Sequence, residues 1–249
     1  MYDDNLSRSF GESLDDDDSP VWRYVSLPVL LHMLQTGTMF FPSLATLARL
    51  DPFEGHWSAE EATAVDLRMR DKFLRELSGL PGTEAEQKRL ETESVTTVFH
   101  DVISKSVFAN CWHENDGESA AMWAIYGADH GIALRSRVGQ LKAAFAVEER
   151  PIVLVRIQYR LTLDTTQPPI RTVFRKRGSF SHEREIRAAV IQGPSNDPGT
   201  LVKIDLATLI EELYLWPSAP SWMLDVIRRE VRLHGLDVPI KVSPLYKAI

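Results

Sequence analysis

The strongest chemical signal in the chain is the run Phe180-Ser181-His182-Glu183-Arg184-Glu185-Ile186-Arg187. Read as a strand from Glu183 to Ile191, it alternates: Glu183, Glu185 and Arg187 share one face, Arg184 and Ile186 the other. Two carboxylates beside a guanidinium do not make a core face. Such a face is either a solvated ion pair or a site where a cation holds a carboxylate for use. A held carboxylate stabilises a sugar oxocarbenium ion or binds ribose hydroxyls, while the arginine orients it or takes a phosphate. Just upstream, Arg171, Arg175, Lys176 and Arg177 form the densest basic cluster. It suits phosphate, or it is an ordinary solvated loop.

Arg23 lies between Trp22 and Tyr24. A cation flanked by aromatics on a strand reads as a pocket wall or as a residue pointing to solvent. Ser119, Met122, Trp123 and Tyr126 sit at i, i+3, i+4 and i+7 and share a helix face. That face presents a hydroxyl, an aromatic plane and a phenol to a pocket, or it is a core stripe, the commoner outcome of such spacing. Cys111 and His113, with His100 and His130, lack the spacing of a metal site, so no metal is expected. The strand reading makes Cys111 a small inert core residue. No P-loop, dinucleotide-binding glycine fingerprint, HExxH or GxSxG motif is present, which argues against kinase-like ATPases, common dehydrogenases and common hydrolases.

These residues need elements to position them. Val21–Val25 reads as a strand, Ser26 and Pro28 open a helix, Gly37 ends it, and Thr38–Phe41 follows as a second strand. Residues 58–103 read as a helical hairpin insertion, broken at Gly79, Pro81 and Gly82. Val107–Trp112, Gly131–Leu134, Ile152–Tyr159, Glu183–Ile191 and Leu213–Trp216 are strand candidates, Pro168 and Pro169 mark a loop, Ser221–Gly235 is a helix, and Pro239–Leu245 is extended. The expected fold is α+β, with a mixed or antiparallel sheet of about seven strands, or two sheets, surrounded by helices. Regular strand–helix alternation is missing.

The 249 residues carry a net charge of -7, with 44% hydrophobic and 25% charged residues and one cysteine. That composition excludes global disorder and an intramolecular disulfide framework. No apolar run is long enough for a membrane helix and no secretory signal is visible, so a cytoplasmic protein with no membrane partner is expected. Asp15–Asp18 mark residues 1–20 as a disordered acidic tail, leaving 21–249 as one α+β domain. The negative balance disfavours broad capture of nucleic acid but leaves room for a local basic groove.

Four segments, taken together, resemble a bacterial family of unknown function, domain family twenty-nine seventy-one. They are Trp22-Arg23-Tyr24-Val25-Ser26, Asp51-Pro52-Phe53-Glu54, Cys111-Trp112-His113-Glu114 with Ser119-x-x-Met122-Trp123-x-x-Tyr126, and Phe180-x-x-Glu183-x-Glu185-x-Arg187. The order of a basic residue and aromatic on the first strand, a helix, a second strand and a late Glu-x-Glu strand is also similar to ADP-ribosyltransferases. That resemblance implies NAD as substrate, Arg23 as its anchoring cation, Glu185 as the catalytic carboxylate and Glu183 as the accessory one. Tyr24, Ser119, Trp123, Tyr126 and Arg187 would complete the binding site, with no metal. Where many members of the unknown-function family carry a His-Tyr pair, this chain has Arg23-Tyr24, which implies the arginine-type subclass or a changed or lost activity. The implied role is a bacterial toxin or phage-defence effector acting on a protein or nucleic-acid acceptor. The other reading is a non-catalytic module that binds a nucleotide or nucleic acid.

Overall fold

Aromatic and β-branched residues across Val21–Val25 set the first strand, and Gly37 (φ 61°) ends the helix after it in left-handed backbone. The computed structural model describes residues 1–12, 14–78, 80–127, 130–159 and 169–246; the breaker Gly79 and the loop residue Pro168 lie outside them.

The first half comprises α1 (Asp4–Phe10), β1 (Pro20–Ser26), α2 (Leu27–Thr36), β2 (Thr38–Pro42) and the single turn α3 (Leu44–Leu47). Then come α4 (Ala59–Ser78), α5 (Glu84–Arg89), α6 (Val95–Ser106), β3 (Val107–Glu114) and α7 (Ala120–Tyr126). The rest is β4 (Gly131–Arg137), α8 (Val138–Ala144), β5 (Val153–Arg156), β6 (Glu185–Ile191), β7 (Gly199–Lys203), α9 (Leu206–Leu209), β8 (Glu212–Leu215), α10 (Ser221–Leu233) and β9 (Ile240–Val242).

The fold is α+β. Seven strands form one sheet in the order β5-β6-β3-β1-β4-β8-β9, antiparallel except for the β8–β9 pair. β2 leaves that sheet and pairs with β7 in a second, two-stranded one. Trp112, Ile132, Leu134 and Ile186 on one face of the large sheet pack against Leu30, Leu141 and Ile227 of α2, α8 and α10. Each such side chain contributes about 1.5–3 kcal/mol of burial.

The opposite face is divided. Val107, Ala109 and Ala189 pack with Val173 and Phe174 at one end, and Trp22, Tyr24 and Ala133 pack with Met122 and Trp123 at the other. Between them the strands carry Cys111, His113, Glu185 and Arg187. The sheet also opens here. β1 pairs with β4 along its whole length, but with β3 only at Val21–Glu114 and Trp22–His113.

The N-terminal stretch departs from the expected disordered tail. Asp3 caps α1 by accepting the Leu6 N–H at 2.9 Å, Ser7 Oγ accepts the Leu154 N–H, and Leu14 is buried. Leu6 and Phe10 dock on the cluster that includes Val155. The acidic run hid this apolar spacing; Asp17 itself pairs with Lys142 at 2.6 Å.

Candidate functional site

Arg23 occupies the opening between β1 and β3, where its Nη1 donates to the Cys111 carbonyl, an acceptor β1 leaves free by diverging. Among the described residues no carboxylate lies within ion-pair distance of Arg23, and its buried Nε has no partner. Burial lowers its pKa, yet a guanidinium stays charged.

Strand β6 supplies the opposing charges. Arg187 sits across from Cys111 and Glu185 across from His113. Arg187 Nε donates to Glu185 Oε1 and its Nη1 to Glu54 Oε1, both at 2.7 Å. Glu185 and Arg187 are fully buried. Of the two sequence readings of this face, the solvated ion pair is therefore corrected, as is the expectation that two carboxylates and a guanidinium do not make an interior face. The face is interior, made tolerable because charges from distant segments close on one another.

The strand also starts two residues later than expected. Glu183 ends a 3-10 turn, and Arg184 (φ 43°, ψ 51°) carries the chain through left-handed backbone into β6. Glu183 therefore leaves the strand face, but the turn returns its carboxylate to the same place. Lys176 Nζ lies 2.7 Å from both Glu183 Oε2 and Glu185 Oε2, and the Tyr126 hydroxyl donates to Glu183 Oε1 at 3.0 Å. Burial alone would raise the Glu185 carboxyl, but Arg187 and Lys176 outweigh it and hold Glu185 well below the usual range. Burial would likewise lower Lys176, and the surrounding carboxylates, Glu185 first, raise it instead.

Together these groups line a cavity of about 150 Å³, walled by Arg23, Tyr24, His113, Tyr126, Glu183 and Arg187. His113 stacks on Tyr126 (5.6 Å between centroids, 30°) and is tilted against Tyr24. Its Nδ1 lies 2.9 Å from the Glu183 carbonyl, so that nitrogen carries the proton. Burial pulls the His113 pKa down against the nearby carboxylates. Burial, then the Glu183 charge, pushes the Tyr126 phenol up, so it donates rather than ionises. Around the cavity the buried cations Arg23, Lys176 and Arg187 face the buried carboxylates Glu54, Glu183, Glu185 and Asp51, the last of which is paired with the partly exposed Arg177. Among the described residues, no three His, Cys, Asp or Glu side chains are placed to share a metal ion.

Of the residues singled out in the sequence, Arg23, Tyr24, Tyr126, Glu183 and Arg187 meet at this cavity. Glu185 lies beneath it. Ser119 does not reach it: its Oγ accepts the Met122 N–H as the cap of α7, and its own N–H bonds the Tyr24 hydroxyl. Trp123 backs Tyr24 edge-on at 5.1 Å and faces a separate cavity shared with His130 and Trp216. The basic run is not a phosphate patch. Arg175 pairs with Glu61, Arg177 with Asp51, Lys176 with Glu183 and Glu185, and Arg171 bonds the Ser9 carbonyl. Cys111 lines the cavity rather than the core, and burial followed by the Glu185 charge pushes its thiol up to about 12, leaving it unreactive. Sequence reasoning gave no role to Lys176 as a carboxylate partner or to Glu54. The acidic Asp51–Glu54 segment and the basic run were both visible, but not their pairing.

No protein-family model matches the chain, so nothing there supports membership of the unknown-function family that the motifs resemble. No curated protein matches either. Among solved structures, Thermus sp. 2.9 DarT in complex with ADP-ribosylated ssDNA is similar over 92% of this chain and 95% of that one, at 10% identity and a TM-score of 0.40. Likeness at that level decides neither the fold family nor the chemistry.

Proposed function

We propose that the cavity binds the nicotinamide–ribose end of NAD and that the protein cleaves the nicotinamide N-glycosidic bond, transferring ADP-ribose to water or to an acceptor. One observation carries the reading. Arg23, a cation without a carboxylate partner among the described residues, and Glu183, a carboxylate at the cavity wall, converge from β1 and from the turn that precedes β6 beside two phenols.

As the C–N bond breaks, its electron pair leaves with nicotinamide and positive charge develops on the ribose. A fixed carboxylate stabilises that charge in a poorly hydrated site. The acceptor oxygen or nitrogen then bonds the anomeric carbon and loses its proton. Glu183 takes the ligand-facing role in this reading, since Glu185 is enclosed. Glu185 instead holds Lys176 and Arg187 in place. Arg23 supplies hydrogen bonds to the ligand's oxygens. Small-molecule pockets usually measure about 300–1,000 Å³, so this cavity holds one end of a dinucleotide. The remainder would lie across the rim, where Arg177 stacks on Phe53 at 4.5 Å.

Lys176 also gives a second reading a specific basis. By neutralising both carboxylates it suits a module that binds a nucleotide without cleaving it. Titration with NAD, with quantification of released nicotinamide, separates the two. The enzyme reading expects turnover that Glu183→Gln abolishes while NAD affinity stays within a few-fold. Binding without release favours the second reading. Absence of both overturns the nucleotide assignment.

A further inference from the structure

The basic run at 171–177 is consumed by internal contacts, but another group of cations is not. Helix α10 carries Arg228, Arg229 and Arg232, all exposed. Arg229 and Arg232 have no carboxylate partner among the described residues, while Arg228 contacts the largely exposed Asp225 at 3.5 Å and donates from Nη2 to the Ile240 carbonyl at 3.4 Å. They line an open groove of about 1070 Å³ between α10 and the segment 236–241. Leu236, Val238 and Ile240 form part of its floor. Asp225 and Asp237 also line it, as does Lys241, which is engaged by Glu212 at 2.7 Å. The groove is therefore net cationic on a chain of net charge -7.

The helix is oriented by its other side. Ile227 and Val231 are buried, and the face directly opposite carries Trp222 at 61% exposure. Arg228 and Arg232 are one turn apart, about 6 Å along the axis. Planar, weakly hydrated guanidinium groups at that spacing are suited to successive phosphates, and Trp222, two turns before Arg229 on the outward face and outside the groove lining, offers an exposed indole suited to a stacked base. A second copy of this chain would bring the same cations together and is disfavoured.

We infer that the α10 groove and the adjoining outward face of the helix bind a single-stranded nucleic acid, with Arg228, Arg229 and Arg232 on phosphates and Trp222, beyond the groove, stacking on a base. α10 packs on the sheet face opposite the Arg23 cavity, so this site is separate from it and stands whether or not NAD is cleaved.

The test is binding of a fluorescent oligothymidylate to the full chain across a salt series. The expected result is saturable binding whose log affinity falls with log salt at a slope of about -2, as three phosphate contacts on a single strand require. Arg229→Glu with Arg232→Glu is expected to weaken it at least about tenfold and flatten the slope. Trp222→Ala is expected to weaken it with the slope kept. Circular dichroism confirms that these surface variants fold. No saturable binding at low salt overturns the inference, as does binding unchanged in the double variant. Equal binding of a polyglutamate peptide also overturns it, by pointing to a general acidic partner.

Discussion

Glu185 and Arg187 are enclosed together, so removing one strands the other. Glu185→Gln leaves the buried Arg187 and Lys176 charges undercompensated and is expected to cost about 3–5 kcal/mol in urea unfolding. Glu183→Gln keeps hydrogen-bond capacity at the cavity wall and is expected to cost less, about 1–3 kcal/mol. The same groups set the acid limb of stability. Glu185 is held below its unfolded value, so its contribution is complete above about pH 4.3 and is lost as pH falls. Glu148 adds to this: burial opposes the shift, but Arg150 and the Lys203 N–H bring it to about 2. His113 is held neutral by burial, so stability also declines as pH falls below about 6.5, where an unfolded histidine takes up a proton. Stability measured against pH should therefore fall gently below about pH 6.5 and steeply below about pH 4.5, with the steep part reduced in Glu185→Gln. Arg23 and the Glu-x-Glu run were legible as chemistry in the sequence. Their enclosure was not, because Glu54 lies 133 residues from Arg187 and nothing local announces that pairing.

Local signals placed most of the elements. Gly37 ends its helix and Gly131 and Ser221 open their elements as expected, although the strand from Gly131 runs on to Arg137 and the helix from Ser221 stops at Leu233. The misses share one cause, which is that pairing is non-local. Thr38–Phe41 reads as a strand, but its partner is Gly199–Lys203, a segment with little strand character of its own. At the head of β6, the alternation of Glu183, Glu185 and Arg187 concealed the left-handed turn at Arg184. Glycine suits that backbone, so Arg184→Gly is expected to be neutral or to stabilise by up to about 1 kcal/mol in urea unfolding. Ser119 shows how one residue type serves two readings. A hydroxyl on a face with Trp123 and Tyr126 suggests a ligand, but here it caps α7. Ser119→Ala is expected to lower stability by about 1 kcal/mol in the same assay.

At the scale of the molecule, the divided sheet is what makes the cavity. Two apolar clusters fill the ends of one face, and the charged centre lies where β1 and β3 part. The N-terminal segment braces the β5 edge through the Ser7–Leu154 bond, with Leu6 and Phe10 on that face and buried Leu14 in the core on the other, so deleting residues 1–14 is expected to cost at least about 2 kcal/mol of thermal or urea stability. A freely disordered tail would cost nothing. Net charge left room for a local basic surface: acidic residues dominate the count, while Arg229 and Arg232, without a carboxylate partner among the described residues, gather on α10. The claim that organises these observations is that Arg23 and Glu183 hold one nucleotide between them. Nicotinamide release from NAD by the purified full chain, the Arg23→Ala variant and the Glu183→Gln variant tests it most directly. The account predicts release by the parent chain, a raised KM for Arg23→Ala and a collapsed kcat with retained NAD affinity for Glu183→Gln. Equal release by all three proteins, or no NAD binding by the parent chain, would contradict it.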